Sequence, residues 1–199
     1  MDEYKKFKYL FNKYNGVITT AEFQKAGYHH KYLKELMDKG MIRKIKRGYY
    51  EWQYEEFISD TTIITRLFPD AVIYLLSALY IYGFTDRTPN EWHLAVARGS
   101  SRPRFEIEYP KVKPYYILEK YMNIGKTKYT YEGQEINIFD KNRTICDVVR
   151  NSNKMDKEIV NQAIKGYIND PQKDISKLLE YAKKMRAENK VRTMIGMWL

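Results

Sequence analysis

Apolar residues recur at helical spacing from the start of the chain. Tyr4, Phe7, Leu10, Phe11 and Tyr14 form one stripe over residues 2–15, and Asn15-Gly16 ends it. Residues 16–52 read GVITTAEFQKAGYHHKYLKELMDKGMIRKIKRGYYEW. Thr19 stands three residues before Glu22, the capping-box spacing, so a short helix opens there. Gly27 ends it by supplying the left-handed conformation that other residues resist. A second helix of about ten residues carries Leu33, Leu36 and Met37 on one face and stops at Gly40. Short strands at 41–45 and 49–52 turn through Arg47-Gly48. Helix, tight turn, helix and a basic ribbon is the pattern of a winged helix-turn-helix, a DNA reader.

The chemistry lies in what these elements show to solvent. With the apolar face fixed, His30, Lys31, Lys34 and Glu35 lie off it. The first turn, His29 to Tyr32, is the part of a recognition helix that meets base edges. Arg43, Lys44, Lys46 and Arg47 on the ribbon would follow the sugar-phosphate backbone, with no acid between Lys39 and Arg47. Thr19 and Thr20, opening the first helix of the pair, complete the candidate DNA contacts. An ordinary solvated basic surface is the simpler alternative, against which stands the order of the pieces.

Residues 53–60 turn polar and slightly acidic, which sets a boundary between a head, 1–53, and a C-terminal domain, 54–199. That second part opens with a helix at 56–68, broken at Pro69-Asp70. A strand at 71–74, a helix at 77–82 and strands at 91–97, 115–118, 125–131 and 135–139 follow, with Glu132-Gly133 as the last turn. Helices at 141–151, 156–169 and 173–188 and a short last segment close the chain. Strands followed by helices argue an α+β fold: a winged helix-turn-helix, then a mixed α/β domain ending in helices.

Net charge is +10, and residues 1–52, with 12 basic and 6 acidic side chains, hold +6 of it. That asymmetry favours a basic DNA-binding head. No apolar run approaches the roughly 18 residues of a membrane span, and the N-terminus lacks the apolar core of a secretion signal, so a cytoplasmic protein is expected. The single Cys146 lies among apolar neighbours, which suits a buried side chain better than a nucleophile. His29, His30 and His93 with one cysteine make no convincing metal site, and no cofactor motif appears: Gly125-Lys126-Thr127 lacks the spacing of a nucleotide loop. A metal-dependent nuclease would need clustered carboxylates. Glu106 and Glu108 on one strand face, with Asp86 upstream and Lys111 beyond Pro110, are a weak set. The stronger alternative is a stand-alone or ligand-responsive winged-helix regulator. The terminal helices carry Lys183, Lys184, Arg186, Lys190 and Arg192, a solvated face or a candidate antitoxin or nucleic-acid surface.

Four segments carry a family resemblance. SALYIYGFTD at 77–86, IFDKNRTICD at 138–147, KDISKLLEYAKKM at 173–185 and the winged helix at 16–52, with its Arg47-Gly48-Tyr49-Tyr50 turn, resemble AbiEi-type antitoxins. Residues 98–114 carry the least of it. The resemblance implies the antitoxin of a type IV, abortive phage infection system, paired in one operon with a nucleotidyltransferase-like toxin. It implies a winged helix that represses the operon at promoter inverted repeats, and a C-terminal domain that opposes the toxin without a stable complex. The residues themselves point to no enzyme activity and no cofactor.

Overall fold

The computed structural model describes residues 3–53 and 57–198. The expected helix start at residue 2, the boundary residues 54–56 and Leu199 lie outside the described residues. The chain divides into two compact units, residues 1–69 with 106–110, and residues 70–105 with 111–199. The fold is α+β, with two sheets.

In the first unit α1 (Glu3–Asn12) is followed by β1 (Val17–Thr19), α2 (Thr20–Lys25), α3 (Lys31–Asp38), β2 (Ile42–Lys46), β3 (Tyr49–Trp52) and α4 (Asp60–Leu67). The strands form a three-stranded antiparallel sheet in the order β1-β3-β2. Phe7, Leu10 and Phe11 of α1 share one core with Phe23, Leu33, Leu36, Ile42 and Trp52. β1 is absent from the sequence reading, being three residues long and too short to show alternation. α4 is the helix expected at 56–68, but it packs on β1 and belongs to the first unit, which runs to Pro69.

The second unit contains β4 (Val72–Ile73), α5 (Leu75–Ile81), β5 (Trp92–Ala97), β6 (Val112–Ile117), α6 (Glu119–Met122), β7 (Lys126–Tyr131) and β8 (Gln134–Phe139). The helices α7 (Lys141–Asn151), α8 (Lys157–Asn169), α9 (Ile175–Lys184) and α10 (Glu188–Gly196) follow. Its mixed sheet runs β6-β5-β4-β8-β7, with β4 parallel to β8, β5 parallel to β6 and the other pairs antiparallel. The α7 helix is the hub. Its fully buried Arg143 donates Nε to Asp147 at 2.6 Å and Nη1 to the carbonyls of Tyr121 and Ile124 at 2.7 and 2.6 Å. Gly125 permits this: a Cβ there would lie 2.5 Å from that of Arg143, and its φ is +68°.

The expected helix 173–188 is α9, which stops four residues early at Lys184, and the short last segment is the helix α10. The break falls at Arg186, in the left-handed region at φ +57°, with no glycine or proline to announce it. Residues 106–108 form no strand. β6 starts three residues earlier than expected and passes through Pro114, which a strand with one neighbour tolerates.

Candidate nucleic-acid interface

α2 begins with the capping box its spacing predicts. The Thr19 hydroxyl accepts from the Glu22 amide at 3.1 Å, and Glu22 Oε2 accepts from the Thr19 amide at 2.8 Å and its hydroxyl at 2.9 Å. That hydroxyl is therefore occupied by the cap. Thr20 opens the helix, and its amide donates to the Gly48 carbonyl at 3.0 Å, stitching the ribbon turn to the start of α2. The Arg66 guanidinium on α4 donates to both oxygens of Glu22 at 2.7 Å and through Nε to the Val17 carbonyl at 3.1 Å. It also lies 5.4 Å from the centre of the Tyr14 ring. Burial raises the Glu22 pKa, but the donors from Arg66 and Thr19 outweigh it and hold the carboxyl below its usual range.

After Gly27, at φ +90°, Tyr28 packs against Phe7 and Phe23 with ring centres 5.0 and 5.3 Å apart. α3 begins at Lys31, so the histidines precede the helix rather than form its first turn. His29 Nδ1 accepts from the Lys31 amide at 3.3 Å, and His30 is the N-cap without a side-chain bond. Their ring centres lie 4.2 Å apart, with the planes tilted by 36°. Leu33 and Leu36 are buried; His29, His30, Lys31, Lys34 and Glu35 are exposed. Tyr32 is half-buried, with the Lys31 ammonium 5.3 Å from its ring centre.

The four ribbon cations are not equivalent. β3 places Glu51 opposite Arg43, and the two pair at 2.6 Å, so an acid distant in sequence faces the run. The Arg43 guanidinium also lies 5.8 Å from the Tyr109 ring. The Lys46 ammonium sits over Tyr49 and Phe68 at 4.9 and 4.6 Å. Lys44 and Arg47 are exposed and have no partner among the described residues. Lys31 and Lys34 are likewise exposed and have no acid partner among the described residues. Sequence reasoning missed Arg66, because 44 positions separate it from Glu22 and no periodic signal spans that distance.

The C-terminal basic residues do not share one helix face. Lys184 pairs with Glu180 at 2.6 Å and Arg192 with Glu188 at 2.9 Å. Lys183 stands in the last turn of α9, Arg186 occupies the break, and Lys190 points to the Arg150 carbonyl and Asn153. Burial pushes the Cys146 thiol up to about 12, far from a nucleophile's range. Among the described residues no group of three or more His, Cys, Asp or Glu could hold a metal ion. Glu106, Glu108 and Asp86 are exposed, and the first two do not share a strand face.

These features define a two-unit α+β protein whose head presents a cationic helix and ribbon tip. Residues 8–51 match the family model described as a transcriptional regulator, AbiEi antitoxin. The chain is also similar in fold to the crystal structure of the RV2827C protein from Mycobacterium tuberculosis. The TM-score is 0.54 and the identity 9%, over 90% of this chain and 75% of that one. No curated protein matches the chain. Among the described residues no helix is long and apolar enough to cross a membrane.

Proposed function

We propose that this protein is the antitoxin and autorepressor of a two-gene toxin–antitoxin operon, and that its head is a winged helix-turn-helix. The observation that carries the reading is the match of residues 8–51 to a regulator family, in a segment whose Lys31, Lys34, Lys44 and Arg47 are all exposed and without an acid partner among the described residues. In this reading the start of α3 enters the major groove, where Lys31, Lys34, His29 and His30 reach bases or phosphates. Lys44 and Arg47 neutralise backbone phosphates, with Thr20 beside the ribbon turn. Arg43, Lys46 and Thr19 hold the shape of the site. The operator is an inverted repeat in the promoter, because one such head covers too little duplex for tight specific binding. Residues 54–199 carry the antitoxin activity against a nucleotidyltransferase-like toxin. The type IV relationship, without a stable complex, and the role in abortive phage infection follow from the family resemblance. The same reading takes the protein to be cytoplasmic, without catalysis or cofactor.

The test is a pair of assays on Lys31→Glu/Lys34→Glu. Promoter binding in a gel shift is expected to vanish, while rescue of toxin-expressing cells at matched protein level persists. Unchanged promoter binding contradicts the assignment of α3. Lost rescue contradicts the division of labour.

A further inference from the structure

Lys190 is half-buried on α10, yet among the described residues its ammonium meets only neutral acceptors, the Arg150 carbonyl at 3.4 Å and Asn153 Oδ1 at 3.5 Å. A partly buried cation normally faces an anion. The nearby acids are engaged elsewhere, Asp156 and Glu158 with Arg87 and Glu188 with Arg192.

Lys190 and Asn189 stand where two concavities meet. The first, of about 460 Å³, is lined by Lys183, Arg186 and Glu188; the two cations have no acid partner among the described residues, and the Glu188 carboxylate is paired with Arg192. The second, of about 600 Å³, has Met155, Val160 and Met194 in its wall with the amides of Asn153, Asn161 and Asn189, and Lys157 also lines it. That volume is ordinary for a small-molecule site, and an apolar wall with a few amides is the usual lining of one. Arg186 occupies the left-handed position after the end of α9, at φ +57°, where the Ala187 amide closes the helix end on the Ala182 carbonyl at 2.8 Å.

We propose that the paired concavities bind a nucleoside phosphate, either a free nucleotide or one unit of a single strand. Lys183, Arg186 and Lys190 take the phosphate. The base lies against Met155, Val160 and Met194, and the asparagine amides, which supply both donors and acceptors, meet its edge. This site lies wholly within the second unit and does not depend on duplex reading by the head.

The experiment uses full-length protein with ¹³C-methyl methionine, in which the Met155 and Met194 signals are assigned by leucine replacement. It is titrated with the four nucleoside monophosphates, adenosine, inorganic phosphate and a single-stranded hexanucleotide. A monophosphate should shift both methyl signals, with adenosine at least about tenfold weaker because it lacks the charge-assisted bonds. Inorganic phosphate should shift neither. Lys190→Ala should weaken binding about tenfold. Arg186→Gly should weaken it roughly fivefold while leaving the melting temperature unchanged or higher, since glycine relieves the left-handed strain. Tighter binding of the hexanucleotide than of any monophosphate identifies a single strand as the ligand, and equal binding identifies a free nucleotide. No methyl shift up to about 10 mM nucleotide or with the hexanucleotide overturns the proposal. So do shifts indifferent to Lys190→Ala and Arg186→Gly, or adenosine binding as well as its monophosphate.

Discussion

Glu22 closes the cap of α2 and accepts the Arg66 guanidinium, so one carboxylate joins the helix start to α4. Thr19→Ala removes the hydroxyl half of the cap and should cost about 1 kcal/mol in urea denaturation. Arg66→Met leaves the cap but strips Glu22 of its charged partner, and should cost roughly 2 kcal/mol by the same measurement. Because Arg66 holds the protein rather than a phosphate, the salt dependence of DNA binding should not change in that variant. His93 gives a pH signature. Burial, with the Lys113 charge nearby, lowers its pKa from 6.5 to about 4, and its Nδ1 lies 3.2 Å from the Tyr115 hydroxyl. The unfolded chain therefore takes up a proton at higher pH than the folded one. The stability held by neutral His93 is complete above pH 6.5 and is lost as the pH falls towards 4. His93→Gln should flatten thermal stability across that window, and an unaltered pH profile would contradict the burial argument.

Elements whose signals are local were legible in the sequence. The α7 helix runs from Lys141 to Asn151 as its pattern predicts, and Gly27, Gly40 and Gly133 all lie at positive φ where a turn was expected. Elements defined by distant partners were not. β1 exists because β3 pairs with it, and α4 reads as the start of the second part until Arg66 is seen on Glu22. The strand expected at 106–108 rested on alternation alone and did not form. In the candidate site the exposed face of α3 was readable from its apolar positions. The loss of Arg43 to Glu51 and of Lys46 to Phe68 was not, since cross-strand register and the return of the chain decide both. A fragment ending at residue 52 lacks α4 and should melt without cooperativity by circular dichroism, whereas residues 1–69 should regain a cooperative transition. In the second unit Asp147→Asn leaves the buried Arg143 short of its counter-charge. The loss should be roughly 3–5 kcal/mol in denaturant titration, far above that of an exposed pair such as Lys184 and Glu180.

For the whole molecule, the account assigns duplex reading to the head and antitoxin action to the remainder, with charge in the head divided between side chains that contact DNA and side chains that hold the fold. The net charge of +10 cannot separate these roles, because it counts a paired arginine and a free one alike. Salt dependence can. Each phosphate contact contributes about 0.9 to the slope of log affinity against log salt concentration. The most direct test is that slope, measured by fluorescence anisotropy on the promoter duplex for the wild type, Lys44→Ala/Arg47→Ala and Arg43→Ala/Lys46→Ala. The account predicts a slope reduced by about 1.8 in the first variant and unchanged in the second, whose affinity falls only through a looser ribbon. An unchanged slope in the first variant, or a wild type that does not bind the duplex, would contradict it.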